Sequence, residues 1–265
     1  MTETILLTGA AGTIGRLMRP RLAGPDRRLR LLDVADQAPA GPDEPVEIVT
    51  ASITDLAAMT GACRDVSAVI HLGGISREAS WAQILQVNID GTRTVLEAAR
   101  RAGVPRVVLA SSNHAVGFRR VDEAGPDGLP ADSTARPDTY YGVSKAAVEA
   151  LGSLYHSRFG MDVVCIRIGS CFPEPPGARG LSTWLSPDDG ARLFEACLAA
   201  PSPGYRVIWG ASANTRGHYS LAEARQLGYS PADDAERLAP ADVSPAPGDE
   251  YVGGGFTSTP LGEPN

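Results

Sequence analysis

A glycine-rich loop between the first strand and the first helix constrains the fold more than any other feature of this sequence. Residues 5–8 form a short apolar run, typical of a buried strand, and residues 8–15 read TGAAGTIG. Residues 13–22 then carry apolar side chains at helical spacing. A tight glycine turn that opens a helix can bring a pyrophosphate close to the backbone. The residues of this loop expected to contact a dinucleotide are therefore Gly9, Gly12, Thr13, Ile14 and Gly15.

The rest of the chain alternates short apolar runs with helical patterns. The predicted strands are 5–8, 29–32, 46–49, 67–72, 106–110, 162–168 and 205–209. The predicted helices are 13–22, 55–63, 80–102, 139–159 and 186–199, and residues 117–138 are expected to form a loop. This order predicts an α/β fold with a doubly wound parallel sheet, the Rossmann fold, in a single domain over residues 1–265. Residues 171–185 and 210–265 are expected to form a small substrate-binding part.

Composition excludes several classes of protein. The chain has 265 residues, of which 43% are apolar, a fraction typical of globular proteins. Its net charge of -7 argues against a surface that binds nucleic acid. No apolar run reaches the roughly 18 residues of a membrane span, and no basic region of a signal peptide is seen, so we expect a cytoplasmic protein. The four cysteines contain no C-x-x-C pair, so neither a disulfide framework nor a metal site is expected.

Negative charge is concentrated near the C-terminus. Residues 231–265 hold seven acidic residues and one basic residue, together with six prolines and five glycines. This composition predicts an irregular acidic tail that wraps or trails the surface. Because the remaining chain is nearly neutral, the total charge does not argue against an anionic substrate.

Asp33 ends the second predicted strand, about 20 residues after the glycine loop, where a carboxylate can accept hydrogen bonds from the adenosine ribose. The same carboxylate would repel a 2′-phosphate. No arginine follows Asp33 directly. The sequence therefore favours NAD over NADP, although a solvated turn aspartate is the alternative.

The single lysine of the chain, Lys145, stands beside 23 arginines and lies four residues after Tyr141. That spacing places both side chains on one helix face. A nearby ammonium favours the phenolate, which would make Tyr141 a usable base. Ser112 follows the fifth strand, where it can hydrogen-bond a reacting oxygen. Tyr140 is expected to be a packing aromatic.

The combination of glycine loop, Asp33, serine pair and Tyr-x-x-x-Lys resembles the short-chain dehydrogenase/reductase superfamily in its NAD-dependent epimerase/dehydratase branch. The resemblance implies that Tyr141 is the acid/base, that Lys145 binds the nicotinamide ribose and tunes the tyrosine, and that Ser112 orients the substrate. It further assigns Asn88 to a cofactor-binding helix segment. Other cofactor contacts are expected at Ser52, Ile53, Leu72, Gly73 and Gly74. Ser52 replaces an acidic residue that usually contacts the adenine amine, so a weaker adenine contact is expected.

Within this branch, residues 71–76, 110–114, 167–171, 181–184 and 209–214 are similar to the uronate dehydrogenases. That resemblance implies NAD-dependent oxidation of D-galacturonate or D-glucuronate at C1, giving an aldarolactone and NADH. Arg179 could hold the uronate carboxylate with its planar fork. The candidate hydroxyl contacts are Ser76, Ser112, Asn113, His114 and Ser170. The family often pairs subunits through its two long helices, so a homo-oligomer is expected.

Several alternatives stay open at this point. Arg179 could be an ordinary surface arginine, and His114 could serve only a structural hydrogen bond. Ser76 and Ser170 could equally line the cofactor or cap turns, and Arg167 is expected to pair structurally. The alternative activities are another sugar epimerase, dehydratase or dehydrogenase of the same branch. A non-catalytic dinucleotide sensor is disfavoured by the presence of both Tyr141 and Lys145.

Overall fold

The computed structural model describes residues 2–239 and 248–264. A parallel sheet of seven strands, in the order β3-β2-β1-β4-β5-β6-β9, forms its centre, which confirms the predicted doubly wound architecture. The strands of this sheet are β1 (Glu3–Thr8), β2 (Arg27–Asp33), β3 (Val46–Thr50), β4 (Ala68–His71), β5 (Arg106–Ser112), β6 (Asp162–Ile168) and β9 (Tyr205–Gly210). Short apolar strands suit this position because helices cover both faces of the sheet.

Two helical layers bury the two faces. The helices are α1 (Thr13–Leu22), α2 (Leu56–Ala62), α3 (Trp81–Gln83), α4 (Gly91–Ala102), α5 (Tyr140–Phe159), α6 (Gly177–Thr183), α7 (Pro187–Ala199) and α8 (Ala222–Gln226). Helices α1 and α7 pack together on one face, while α2, α4 and α5 pack in sequence on the other. Each layer contributes its own buried apolar cluster against the sheet. None of the described helices is both long enough and apolar enough to cross a membrane.

The predicted helix over 80–102 is interrupted, which corrects the sequence prediction. A π-helical segment, Ile84–Asp90, separates α3 from α4. Within it, Asn88 turns its side-chain amide toward the loop that follows β4, where it bonds both the N–H and the carbonyl of Ile75. A π-helical insertion of this kind is often found at functional sites. The segment therefore ties the helix to the edge of the sheet where ligands bind.

The region after β6 contains regular secondary structure. Two short strands, β7 (Ser170–Cys171) and β8 (Trp184–Leu185), pair in parallel and enclose helix α6. These elements place residues 171–185 beside the carboxyl ends of the main strands.

The expectation for the C-terminal tail is partly wrong. Residues 240–247 of that predicted tail lie outside the described residues. Residues 252–254, in contrast, are buried: Val252 is fully buried, and its N–H donates to the carbonyl of Arg119 at 2.9 Å. The neighbouring Gly253 N–H donates to the carbonyl of Gly117 at 2.9 Å. This part of the tail is therefore packed into the fold and is not a surface strap.

Candidate active site

A cavity of about 1210 Å³ runs along the carboxyl edge of the sheet. It begins at the loop after β1 and passes the ends of β2, β3 and β4. It then reaches the end of β5 and the N-terminal turns of α5. In a doubly wound sheet this edge is the ligand-binding edge, and the strand order reverses beside β1. The cavity therefore lies where the topology predicts it.

The glycine loop forms one end of the cavity. Gly9 has a φ of +71°, and a Cβ atom there would lie 2.6 Å from the backbone of Leu72 and Gly73. A Cβ atom on Gly15 would lie 2.5 Å from the carbonyl oxygen of Gly9. The first turn of α1 has Gly12 as its N-cap and no side-chain cap. Its N–H groups are thus left for a ligand, and a helix N-terminus favours an anion.

Asp33 and the ends of the next two strands line the same half of the cavity as the glycine loop. One carboxylate oxygen of Asp33 accepts the N–H of Ala11 at 2.9 Å, and the other accepts the N–H of Ala35 at 3.0 Å. Each oxygen keeps a second lone pair for a hydroxyl. The Ser52 hydroxyl is paired with that of Thr54 at 2.8 Å. The remaining predicted residues of this region that line the cavity are Ile53, Leu72, Gly73 and Gly74.

Tyr141, Lys145 and Ser112 meet at the other half of the cavity. Tyr141 and Lys145 lie one turn apart on α5, and both are more than nine-tenths buried. The Ser112 hydroxyl lies near enough to the phenol of Tyr141 to act against the rise of its pKa. The Lys145 ammonium donates to the carbonyl oxygen of Ala110 at 2.7 Å and lies 5.5 Å from the centre of the Tyr141 ring. The spacing argument is confirmed for the position of this pair on one helix face.

The protonation of this pair differs from the sequence expectation. Burial raises the pKa of Tyr141 to about 12, although Ser112 acts in the opposite direction. Burial also lowers the pKa of Lys145 to about 8, while the charge of Glu149 opposes this shift. The ammonium is directed at a backbone carbonyl, so in this structure it does not lower the pKa of the phenol into the neutral range.

A buried ion pair supports the catalytic helix from below. Glu149, one turn after Lys145, accepts two hydrogen bonds of 2.8 Å from Arg167 on β6. It also accepts the Ser111 hydroxyl at 2.6 Å. Arg167 therefore pairs structurally, as expected, and its partner lies on the same face of α5 as Tyr141 and Lys145.

The predicted substrate residues fall into two groups. Ser76, His114, Ser170 and Arg179 line the cavity. The guanidinium of Arg179 donates through Nη2 to the carbonyl oxygen of Val252. The Ser170 hydroxyl pairs with that of Thr183 at 2.9 Å.

The side-chain amides of Asn113 and Asn88, two further residues expected to contact ligands, form hydrogen bonds within the protein. The Asn113 amide donates to the carbonyl of Val252 at 2.9 Å. The Asn88 amide donates to the hydroxyl of Ser144 at 3.0 Å and also bonds the backbone of Ile75. Both side chains hold parts of the cavity wall in place.

Two features of the site were not found from the sequence. Phe256, from the C-terminal segment, lines the cavity and stacks on His114 with ring centres 4.1 Å apart. Asp138 lies behind His114, with one carboxylate oxygen 2.6 Å from Nδ1 of the imidazole. No periodicity marks Phe256 in a glycine-rich tail. Asp138 could have been noticed because it directly precedes Thr139, the N-cap of α5.

Comparisons with known proteins place this arrangement in a family. Residues 5–182 match the NAD dependent epimerase/dehydratase family. The chain belongs to that family. Its relatives include a uronate dehydrogenase of Pseudomonas putida, 44% identical over 95% of this chain and 94% of that protein. An NAD-dependent glucose-6-phosphate dehydrogenase of Haloferax volcanii is 39% identical over 89% of this chain and 95% of that protein.

Solved structures of the family agree with these relatives. A mutant uronate dehydrogenase from Agrobacterium tumefaciens, complexed with NAD, has a TM-score of 0.89 and 41% identity to this chain. The match covers 98% of both chains. The family resemblance predicted from the sequence is thus confirmed over nearly the whole length.

Proposed function

We propose that this family member is an NAD-dependent uronate dehydrogenase that oxidises D-galacturonate or D-glucuronate at C1 to the aldarolactone. The observation that carries the proposal is the placement of Arg179 in the same cavity as Tyr141 and Ser112. A uronate needs one cation for its carboxylate and one base for its anomeric hydroxyl, and this cavity offers both. The near full-length similarity to uronate dehydrogenases supports the same assignment.

The residues at the β1 end fit NAD. The glycine cradle and the uncapped first turn of α1 suit a pyrophosphate, for which we propose Gly9, Gly12, Thr13, Ile14 and Gly15 as contacts. Asp33 has lone pairs for ribose hydroxyls and would repel a 2′-phosphate. Lys145 has two ammonium protons left for the second ribose.

We propose that Ser52, Ile53, Leu72, Gly73 and Gly74 form the remaining walls of the cofactor site. Bound NAD would supply the hydride acceptor and a positive charge on its nicotinamide ring.

Tyr141 would accept the proton of the anomeric hydroxyl while hydride leaves C1, so that C1 becomes the lactone carbonyl. Ser112 would donate a hydrogen bond to the reacting oxygen and hold it against the phenol. Since burial raises the pKa of Tyr141 to about 12, the reaction needs added positive charge near the phenol before the phenolate forms at neutral pH. Because Lys145 is already in place in this structure, that charge would come from the nicotinamide ring of bound NAD.

Arg179 would bind the uronate carboxylate. One of its N–H groups is used by the Val252 carbonyl, and a guanidinium has five N–H donors, so a forked contact with a carboxylate is still available. The hydroxyls of Ser76 and Ser170 and the imidazole of His114 would contact ring hydroxyls. Asn113 would act indirectly, through the Val252 carbonyl that it shares with Arg179.

Formation of NADH with a panel of sugars tests the proposal. The panel contains D-galacturonate, D-glucuronate, their neutral parent sugars and glucose 6-phosphate. We expect the uronates to be turned over and the neutral sugars to have a kcat/KM lower by about tenfold or more. Turnover of glucose 6-phosphate without turnover of either uronate would replace the proposed substrate. NADP in place of NAD should raise the cofactor KM because of Asp33.

The Arg179→Ala variant tests the carboxylate contact. We expect a KM for uronates that rises by about tenfold or more, with a smaller change in kcat. Arg216→Ala is the matched control, since Arg216 is exposed and pairs with Glu236 at 2.7 Å. Equal KM values in the two variants would contradict the role of Arg179.

We further propose that the enzyme is cytoplasmic and forms a homo-oligomer through its two long helices. Leu154 and Phe159 on α5 and Leu85 in the π-helical segment are apolar and 43–54% exposed, which supports a second copy packing there. Leu154→Glu should shift the molar mass measured by light scattering toward that of the single chain. An unchanged mass would place the contact elsewhere.

A further inference from the structure

His114 and Asp138 form a buried pair at the wall of the cavity. The imidazole Nδ1 lies 2.6 Å from one carboxylate oxygen of Asp138. The Asp138 side chain has no exposed surface, and that of His114 is 11% exposed. The pair therefore meets the cavity only through the imidazole.

Three glycines from separate segments enclose the Asp138 carboxylate. A Cβ atom on Gly117 or Gly253 would lie 1.9 or 2.0 Å from Oδ2, and one on Gly142 would lie 2.8 Å from Oδ1. No side chain can be added at any of these positions without moving the carboxylate. Because Gly253 belongs to the C-terminal segment, that segment helps to fix the carboxylate behind His114.

The hydrogen bonds around Asp138 fix the position of the imidazole proton. The Thr139 hydroxyl accepts the N–H of Gly142 at 3.0 Å and donates its own proton to Asp138 Oδ1 at 2.9 Å. With Asp138 ionised, both of its oxygens can only accept, so His114 Nδ1 carries the hydrogen. Burial lowers the pKa of His114, although Asp138 opposes the shift, so the imidazole is neutral at neutral pH. A neutral imidazole with its proton on Nδ1 has an unprotonated Nε2, which is a hydrogen-bond acceptor.

Two aromatic rings hold the imidazole at the wall of the cavity. Its ring stacks on Phe256 and meets the Tyr141 ring edge-on, with ring centres 5.6 Å apart. Within residues 2–239 and 248–264, Nε2 has no hydrogen-bond partner, while the imidazole lines the cavity.

We propose that Asp138 is a positioning residue that keeps the His114 proton on Nδ1, so that Nε2 accepts a hydrogen bond from a hydroxyl of the sugar ring. This inference rests on the proposed function and deepens it. A carboxylate or phosphate oxygen at the same place would meet an acceptor and be repelled. The pair therefore selects a hydroxyl at this position and leaves the anionic group of the substrate to Arg179.

The tautomer can be measured without any substrate. The chain has four histidines, so nitrogen-15 NMR of histidine-labelled protein, with His114→Gln for assignment, resolves the His114 ring. We expect a neutral ring with its proton on Nδ1. A neutral ring with its proton on Nε2, or an imidazolium at neutral pH, overturns the proposal. This result is independent of which sugar the enzyme oxidises.

Asp138→Asn tests the functional consequence. The asparagine amide can donate to Nδ1, which moves the imidazole proton to Nε2 and turns the acceptor into a donor. The negative charge of Asp138 raises the pKa of Tyr141, so its removal would by itself favour the phenolate. A loss of activity in this variant therefore cannot come from a smaller fraction of phenolate at Tyr141. We expect kcat/KM for the uronate to fall by about tenfold or more, mainly through KM, together with the shift of the NMR tautomer.

Ring-deoxygenated uronates complete the test. In the wild-type enzyme, kcat/KM for one deoxy analogue should be lower by about tenfold or more than kcat/KM for the parent uronate. In Asp138→Asn, the two values of kcat/KM should be similar. Asp189→Asn is the control for loss of a fully buried carboxylate, because Asp189 lies on α7 and accepts the N–H groups of Ala232 and Asp233. It should keep the wild-type preference.

Discrimination in Asp138→Asn equal to that of the wild type overturns the proposal. If Asp138→Asn fails to fold, the His114 tautomer measured in the wild-type protein tests the proposal instead. If the wild type oxidises no uronate, the proposed function fails while the tautomer measurement still stands.

Discussion

The ammonium of Lys145 donates a hydrogen bond to the carbonyl oxygen of Ala110, 2.7 Å away, across the gap between α5 and the end of β5. This contact fixes the lysine against the strand that carries Ser112. It also leaves the slim ammonium with two further protons directed toward the cavity. The only lysine in the chain is therefore enclosed where the wide planar group of arginine has little room.

Lys145→Arg should damage turnover although it conserves the charge. The guanidinium is wider than an ammonium, and it would have to displace either the Ala110 carbonyl or the cofactor ribose. We expect kcat to fall by about a hundredfold, with a small change in thermal midpoint, measured by NADH formation and by thermal unfolding. An activity within twofold of the wild type would show that only the charge matters at this position.

Tyr141→Phe should abolish most turnover while the protein still binds NAD. We expect a loss of about a thousandfold in kcat, typical of removing a general base. Binding of NAD, measured by calorimetry, should be nearly unchanged, because the phenol belongs to the substrate half of the cavity. Retention of turnover would refute the role of the phenol as base.

The protonation of Tyr141 can be followed directly by its ultraviolet absorbance. Burial disfavours the charged phenolate and raises the pKa to about 12, so the free protein should hold a neutral phenol through the neutral range. In the difference between wild type and Tyr141→Phe, the other six tyrosines cancel, and no phenolate step should occur below about pH 10. A step near neutral pH in the free protein would contradict this structure.

The sequence predicts the framework well because strand and helix periodicity depend on local burial. The glycine loop, Asp33 and the pair Tyr141 and Lys145 all lie at fixed places relative to strand ends. A doubly wound sheet brings those strand ends to one edge, and their meeting follows from topology alone.

Other features depend on contacts that have no periodic signature. In the break at 84–90, Asn88 bonds the backbone of Ile75, and apolar spacing does not separate α from π turns over so few residues. Glycine and proline content predicts an irregular tail, yet backbone bonds to Gly117 and Arg119 dock its residues 252–253 against the site. The shifted pKa of Tyr141 depends on burial, which spacing to Lys145 does not reveal.

His71 should make folding stability sensitive to acid. It is buried on β4 between the hydroxyls of Thr8 and Thr92, at 2.7 and 3.0 Å, and burial lowers its pKa from 6.5 to about 3. The unfolded chain binds the proton more readily, so stability is lost as the pH falls from 6.5 toward 3. Between pH 7 and pH 5 we expect a loss of about 2 kcal/mol in the free energy of unfolding. Denaturant unfolding of His71→Gln should show a smaller dependence over this interval.

Glu78 should couple the C-terminal segment to the catalytic helix. It is buried, and its carboxylate accepts the N–H of Tyr141 at 2.9 Å and the N–H of Gly262 at 2.8 Å. Glu78→Gln replaces one acceptor oxygen by a donor amide, so one of these N–H groups loses its partner. We expect faster hydrogen exchange in residues 248–264 and an increased KM for the uronate, because this segment carries Val252 and Phe256. Glu263→Gln is the control within the same segment, and equal exchange rates in the two variants would show that Glu78 does not hold it.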